Sequence, residues 1–279
     1  MSEIDRELFN KGFSIRQWWD QAHSVDHPNW LTGSSGKEVW RRLAVLHRIR
    51  PGTQVLNIGV GLGHCTHGLK ERGCSVSALD ISPVALSRVK SLVENSWLPE
   101  QLPHLPADQF DVAISHLVAQ HMTDENLTDQ LRHVIRALKP DGVLAIQIAY
   151  RMNRRPNPTD QATLLELEKG GGICRHLYEI MNVCSRAGGA VTWAKRVKLF
   201  KDFGSGWYGL HIRKVDYKGI PGLRESLSLI RTLEWEIRDL NNKGMTKAAG
   251  SAKDLLNPTR SQLRLRLAGT KRLIFERLT

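Results

Sequence analysis

The sequence predicts an α/β fold: a doubly wound, mostly parallel seven-stranded sheet, with an N-terminal helical cap and a C-terminal helical extension. Three observations carry that expectation. Short β-type runs alternate with amphipathic helical stretches from residue 53 to about 149, and such alternation folds as parallel strands joined by right-handed crossovers. The run Val55-Leu56-Asn57-Ile58 breaks into Gly59-Val60-Gly61-Leu62-Gly63 and then opens a helix, which leaves bare backbone where a ligand can approach. Asp80 ends the next apolar run, 17 positions after Gly63, close to the spacing at which a second-strand carboxylate meets ribose hydroxyls. Together they point to a nucleotide-type cofactor.

The elements follow in order. Residues 1–50 form a prefix, with helical readings from Ile15 to Trp19 and from Glu38 to Ile49, the second carried by Val39, Leu43, Leu46 and His47. Between them lies a polar, aromatic stretch with His23, Asp26, His27 and Trp30. An indole face stacks on a ring while His and Asp bind hydroxyls, so this stretch reads either as a cap over a polar substrate or as a segment packed on the sheet edge. Pro51-Gly52 punctuates the chain. Strand 54–58, helix 63–72, strand 75–80, helix 83–94, a proline-rich link, strand 111–115, helix 125–138 and strand 143–149 come next. Residues 151–173, opening on Arg151 and ending near Gly170-Gly171-Gly172, read as an insertion or lid above the strand ends. A helix at 174–187 and strands at 190–200 and 207–215 complete the sheet, so the central unit spans 51–217. The extension, 218–279, begins with a helix from 222 to 241 whose Leu223, Leu227, Ile230, Leu233, Ile237 and Leu240 share one side, stopped by Asn241-Asn242-Lys243-Gly244. Gly244 to Ala252 is small and polar, and a last helix is expected over 258–278, mixing leucines with arginines.

Charge is unevenly divided. The 279 residues carry a net charge of +12. Residues 1–150 hold 15 Lys and Arg against 16 Asp and Glu, and residues 151–279 hold 25 against 12, so the C-terminal half carries +13. That asymmetry suits an anionic partner (nucleic acid, an anionic membrane surface, or an anionic substrate) or an unspecialised basic surface. No run approaches 18 apolar residues, and Met1-Ser2-Glu3-Ile4-Asp5 lacks a signal-peptide pattern. The cysteines at 65, 74, 174 and 184 form no C-x-x-C pair. Reduced thiols in a cytoplasmic protein, peripheral at most to a membrane, are expected. His23, Asp26 and His27 lack a further carboxylate cluster, so no metal is expected.

The glycine pattern departs from the dinucleotide fingerprint, because its third glycine comes one residue early at Gly63 and His64, Cys65 and Thr66 follow. In this form it resembles motif I of class I S-adenosylmethionine (SAM) methyltransferases, which are Rossmann-like. Val76-Ser77-Ala78-Leu79-Asp80-Ile81-Ser82 resembles the second-strand motif, Phe110-Asp111-Val112-Ala113-Ile114-Ser115-His116 the fourth-strand motif, and Leu138-Lys139-Pro140-Asp141-Gly142-Val143-Leu144 the turn before the fifth strand. The resemblance covers residues 52–150 closely and extends loosely to 217. It implies S-adenosyl-L-methionine as cofactor, held by Asn57, Gly59, Gly61, Gly63, Asp80, Ile81 and Ser115. Asn57 replaces the family's usual acidic residue, and the region from Ser96 to Asp108 offers no acidic adenine-binding residue, which leaves Ser96 or Trp97 for that role.

Ligands of such sheets bind beyond the carboxyl ends of the strands. Methyl transfer to a hydroxyl gains from a base, and His116 and His121 follow the fourth strand. Each reads either as a general base or as a hydrogen-bonded structural histidine at a turn. His23, Asp26, His27, Trp30, Tyr150 and Arg151 are the substrate candidates. The Trp-rich prefix and the strand Trp207 to Lys214 resemble bacterial methyltransferases of surface-polysaccharide and natural-product pathways, which implies a small-molecule or glycan acceptor, phosphorylated or lipid-linked, methylated at a hydroxyl oxygen. An RNA ribose methyltransferase using the basic half is the second reading. Ser115-His116-Leu117-Val118 stands where amino-group base methyltransferases carry an Asn/Asp-Pro-Pro-Tyr motif. A catalytically degenerate scaffold subunit is the third.

Overall fold

The computed structural model describes residues 15–24, 36–150, 172–197, 206–215 and 223–261. One sheet organises them, with strands β1 (Gln54–Ile58), β2 (Ser75–Leu79), β3 (Asn95–Trp97), β4 (Phe110–Ser115), β5 (Leu138–Ala149), β6 (Gly189–Val197) and β7 (Trp207–Lys214). Their order is β3-β2-β1-β4-β5-β7-β6. The pairs among β1 to β5 are parallel, and β7 runs antiparallel to both β5 and β6. The doubly wound, mostly parallel seven-stranded sheet expected from the sequence is borne out.

Helices cover both faces: α1 (Ile15–Ser24), α2 (Gly36–Arg42), α3 (His64–Glu71), α4 (Pro83–Val89), α5 (Asp124–Ala137), α6 (Leu177–Arg186) and α7 (Leu223–Asn242), then a helix over 246–261. Alternation along the strands sorts the core. Val112 and Ile114 of β4 join Val143 and Ala145 of β5 under Val39, Trp40 and Leu43 from the α2 region and Leu69 of α3. Phe110 and Ala113 face the other way, with Leu144, Ile146 and Ile148, under α5, α6 and α7. Among the described residues no helix is long and apolar enough to cross a membrane.

Several boundaries differ from the expected ones, each for a local reason. The helix expected over 38–49 stops at Arg42, where Ala44 turns left-handed (φ 55) and the Val45 N–H closes back on the Trp40 carbonyl at 2.9 Å, a Schellman-type ending. The helix expected over 83–94 is capped at its start by Ser82, whose hydroxyl accepts from the Ala85 N–H at 3.1 Å, with Pro83 at the first position. It ends at Val89. β3 arises inside the stretch read as a link. β5 begins at Leu138, because the Pro140-Asp141-Gly142 motif sits inside a strand whose pairing with β4 shifts register between Phe110 and Val112. Residues 246–252, within the stretch 244–252 read as small and polar, are helical; residues 262–278 of the final helix and 151–171 of the expected lid lie outside the described residues.

Candidate active site

The glycine loop joins β1 to α3. Gly59 and Gly61 both have positive φ, 72 and 51, a region that side chains penalise. A Cβ on Gly59 would stand 2.1 Å from a Val118 methyl and one on Gly63 2.8 Å from a Val89 methyl, whereas one on Gly61 would meet only His23 Nε2, at 3.9 Å. Gly59 and Gly63 are therefore fixed by packing, and Gly61 is the position where backbone lies open. Asp80 follows β2 and ties the loop down: its Oδ2 accepts the Gly61 N–H at 3.2 Å and its Oδ1 the Ser82 N–H at 2.9 Å. A carboxylate has about four acceptor positions, so it retains capacity for a ligand. Burial pushes the Asp80 pKa up, opposed by the amides of Ser82, Gly61 and Val60 and by the charge of His23.

Neighbouring strand ends complete this wall. Ser96 pairs with Ala78 and Trp97 with Leu79, and the Trp97 carbonyl accepts the Asp80 N–H at 3.2 Å. β3 thus delivers both residues beside Asp80 and the half-buried Ile81, although the Trp97 ring turns edge-on to Phe110, 6.4 Å away. Asn57 is buried on β1, and its Nδ2 donates to Thr66 Oγ1 of α3 at 2.9 Å. The amide ties strand to helix, which a carboxylate would have to do by accepting. Ser115 is buried at the end of β4, and its Oγ has no partner among the described residues.

α1 closes over the loop. Asp20 accepts the Ser82 hydroxyl, Arg88 donates to the His23 carbonyl, and Arg16 pairs with Glu100. Trp19 stacks on His23 at 5.5 Å and meets His121 edge-on at 4.8 Å. His23, expected at the substrate, thus lies over Gly61 and against Asp80, beside residues expected to hold the cofactor. Burial lowers its pKa, and Arg88 adds to that against Asp80 and Asp20. Asp26, His27, Trp30 and Arg151 lie outside the described residues.

His116 and His121 part company. His121 sits under the Trp19 ring, in the short 3-10 turn Ala119–His121. His116 faces Arg42: burial, then the Arg42 charge, lowers its pKa to about 4, so the ring is neutral at pH 7. Its Nε2 has no partner among the described residues. Leu117 is left-handed (φ 60), a strained conformation for a side chain. That kink sends Leu117 toward Ala149, Cys174, Val197 and Trp207 and presses Val118 onto Gly59.

Residues 56–146 match the family described as a methyltransferase domain. That match spans 91 of the 279 residues. It is 35% identical over 107 residues to an uncharacterized methyltransferase of Synechocystis, covering 37% of this chain and 50% of that protein. It is 34% identical over 112 residues to the malonyl-[acyl-carrier protein] O-methyltransferase of Serratia marcescens, covering 39% and 43%. The chain therefore matches half or less of the length of these curated relatives. Among solved structures it is similar in fold to the Burkholderia thailandensis 1,6-didemethyltoxoflavin-N1-methyltransferase with bound S-adenosylhomocysteine, with a TM-score of 0.55 and 18% identity over 77% of this chain and 92% of that one. The Rossmann-like methyltransferase fold expected from the four motifs is borne out. None of these names concerns a surface polysaccharide.

Some residues of the methyltransferase domain and its surroundings escaped the sequence reading. Arg175 is fully buried; its Nε donates to Asp124 at 2.7 Å and its terminal nitrogens to the Ala119 and Met122 carbonyls at 2.9 and 2.6 Å. Together with the Ile173 N–H on the Gln120 carbonyl at 2.7 Å, it fastens the loop that carries His121. Partners so distant in sequence, mostly carbonyls, leave no motif. Tyr150, expected at the substrate, gives its hydroxyl to Asp239 of α7 and packs its ring on Tyr208 and Trp235 at 5.2 and 5.3 Å. Its described contacts anchor the C-terminal helix.

Proposed function

We propose that the chain transfers the methyl group of S-adenosylmethionine to an oxygen of a small-molecule acceptor. The single observation that carries this reading is the Gly61–Asp80 pair: open backbone beside a buried carboxylate with acceptor positions to spare. That cradle fits an adenosyl ligand. Asp80 takes the ribose hydroxyls, Ser96, Trp97 and Ile81 flank the adenine end, and Asn57 and Ser115 line the methionine end. His23 closes the cradle from α1. When bound, the cofactor supplies an activated methyl on a sulfonium, so the protein's task is alignment and proton management.

The proton falls to His116. A neutral imidazole with a free ring nitrogen accepts the hydrogen of an acceptor hydroxyl, orients the oxygen and takes its proton. Its low pKa makes it a weak base, which places most of its contribution in orientation. His121, under Trp19, is a positioning residue for α1. The Serratia relative is named for an oxygen and the Burkholderia neighbour for a nitrogen; His116 favours oxygen here. The +13 of residues 151–279 supports an acceptor or carrier with negative charge. Glycan, lipid-linked and RNA acceptors share that property, but the described wall beside His116 (Leu117, Ala149, Trp207) is apolar, which favours a small molecule with an apolar body. Asn57 ties β1 to α3 through its Nδ2 bond to Thr66 and keeps an amide oxygen, so the missing acid gives no support to a degenerate scaffold.

Calorimetric titration with S-adenosylhomocysteine, beside NAD, on wild type and Asp80→Ala tests the reading. S-adenosylhomocysteine binds and NAD does not. The variant, losing hydrogen bonds to a charged group, binds about ten- to a hundredfold more weakly. A folded wild-type protein that ignores S-adenosylhomocysteine overturns it.

A further inference from the structure

Three buried polar atoms on one face of the sheet have no partner among the described residues: Arg42 Nη1, His116 Nε2 and Gln147 Nε2. The strand register brings His116 and Gln147 together. Ser115 pairs with Ile146, so His116 and Gln147 are the next residues on adjacent strands. Each is two positions beyond a residue, Ile114 or Ala145, that packs beneath α2, and side chains two apart share a face. Arg42 ends α2, and its charge acts on His116. Its Nε is held by Glu38 at 2.9 Å, which anchors one edge of the guanidinium and leaves Nη1 turned inward.

The surroundings shape a floor and a wall. Gln147 pairs with Gly209 on β7, and Trp193 and Leu43 close over that glycine, 3.2 and 3.4 Å from where a Cβ would stand. Two residues further along the same face, Ala149 pairs with Trp207, and Leu117 joins them in an apolar cluster. The polar atoms therefore give way directly to an apolar surface at the carboxyl ends of β4 and β5.

Arg42 Nη1 and Gln147 Nε2 are both donors, and each unmet buried donor costs about 1–3 kcal/mol. A carboxylate satisfies both at once, accepting a charge-assisted bond from the guanidinium and a bond from the amide. We propose that Arg42 and Gln147 bind the carboxylate of an organic acid whose apolar body lies along Leu117, Ala149 and Trp207. His116 is then left to face the acid's hydroxyl. This inference rests on the methyltransferase reading for its place beside the cofactor cradle, and it names the acceptor class as a hydroxy acid with an apolar body.

The test uses the full chain, labelled with nitrogen-15, in the presence of S-adenosylhomocysteine. Benzoate and hexanoate serve as acid probes and benzyl alcohol as the uncharged control. The readout is the Gln147 side-chain amide, identified by its loss in Gln147→Leu. At least one acid shifts that amide saturably, benzyl alcohol binds about tenfold more weakly or not at all, and Arg42→Gln weakens the acid about ten- to a hundredfold while its affinity for S-adenosylhomocysteine stays unchanged. If neither acid moves the Gln147 amide while S-adenosylhomocysteine binds, the subsite is wrong and these atoms hold water only. Acid binding undiminished in Arg42→Gln overturns it equally. Failure of S-adenosylhomocysteine to bind overturns the methyltransferase reading instead, and the acid titration is then read on the protein alone.

Discussion

His116 shows how one side chain couples the site to the stability of the molecule. Its pKa of about 4 lies below the 6.5 or so of an unfolded histidine, so the unfolded chain takes up the proton first. The stabilisation is fully present above about pH 6.5 and is lost as pH falls toward 4. The shift corresponds to at most about 3.5 kcal/mol, less the share of the ring that water still screens. Urea unfolding between pH 7 and 4 is the measurement: His116→Gln has a shallower fall in midpoint than wild type. A variant with the wild-type slope would mean that the imidazole is solvated after all. At this scale the sequence is readable where the chemistry is local. Gly59 and Gly61 stand out because left-handed backbone and close approach demand glycine, and Asp80 because it must follow a strand. Arg42, Gln147 and Arg175 do not stand out, because they owe their placement to partners far along the chain. Asn57 was legible as a departure but not as a Thr66 partner, since the same residue either binds a ligand or ties a strand to a helix.

Between elements the most consequential contact is made by Glu236, fully buried on α7. Its carboxylate accepts the backbone N–H groups of Leu177 and Tyr178 at the start of α6, and the Tyr208 hydroxyl at 3.4 Å. One helix thus caps another from across the core. Burial pushes the carboxyl up to about 7 against those three donors. The folded state keeps its proton where an unfolded glutamate, near 4.3, has lost it. Its stabilisation is therefore present below about pH 4.3 and lost as pH rises toward 7, opposite in sign to that of His116. Glu236→Gln keeps an oxygen acceptor and flattens this arm of the profile. Glu236→Leu strands two buried N–H groups and costs about 2–6 kcal/mol, read as a lower urea midpoint at every pH. An unchanged midpoint in Glu236→Leu would show that α6 needs no such cap. Sequence alone finds α7 by its apolar side, but Glu236 there reads as one more charge on a solvated face. The same ambiguity hid the helix over 246–252, whose small residues pack Ala249 and Ala252 into the core without the large side chains that make a helical stripe visible.

At the scale of the whole molecule, the basic extension is also part of the core. Leu229, Ile230, Leu233, Ile237 and Leu240 of α7 belong to the same buried cluster as Ile146 and Ile148 of β5 and Leu210 of β7. Ser228 and Thr232 donate to the Ala194 carbonyl of β6 at 2.7 and 2.9 Å, and Arg196 lies 3.7 Å over the Trp235 ring. The parallel half of the sheet follows from glycines, carboxylates and alternation within a window of some hundred residues. What covers β6 and β7 is set by long-range packing, which composition records only as a charge excess. Burying each large aliphatic side chain is worth about 1.5–3 kcal/mol, so the five on α7 supply roughly 8–15 kcal/mol, an upper figure because an unfolded chain is already partly compact. Whole domains are stable by about 5–15 kcal/mol. Removing the extension therefore removes as much stabilisation as the rest of the chain has to spare. A chain ended after Val215 loses its near-ultraviolet circular dichroism, binds a hydrophobic dye and no longer binds S-adenosylhomocysteine, although every residue of the proposed cofactor cradle is still present. Retention of a cooperative thermal transition and of S-adenosylhomocysteine affinity in that truncated chain would instead make α7 an appendage, with Glu236 and Asp239 dispensable to the fold.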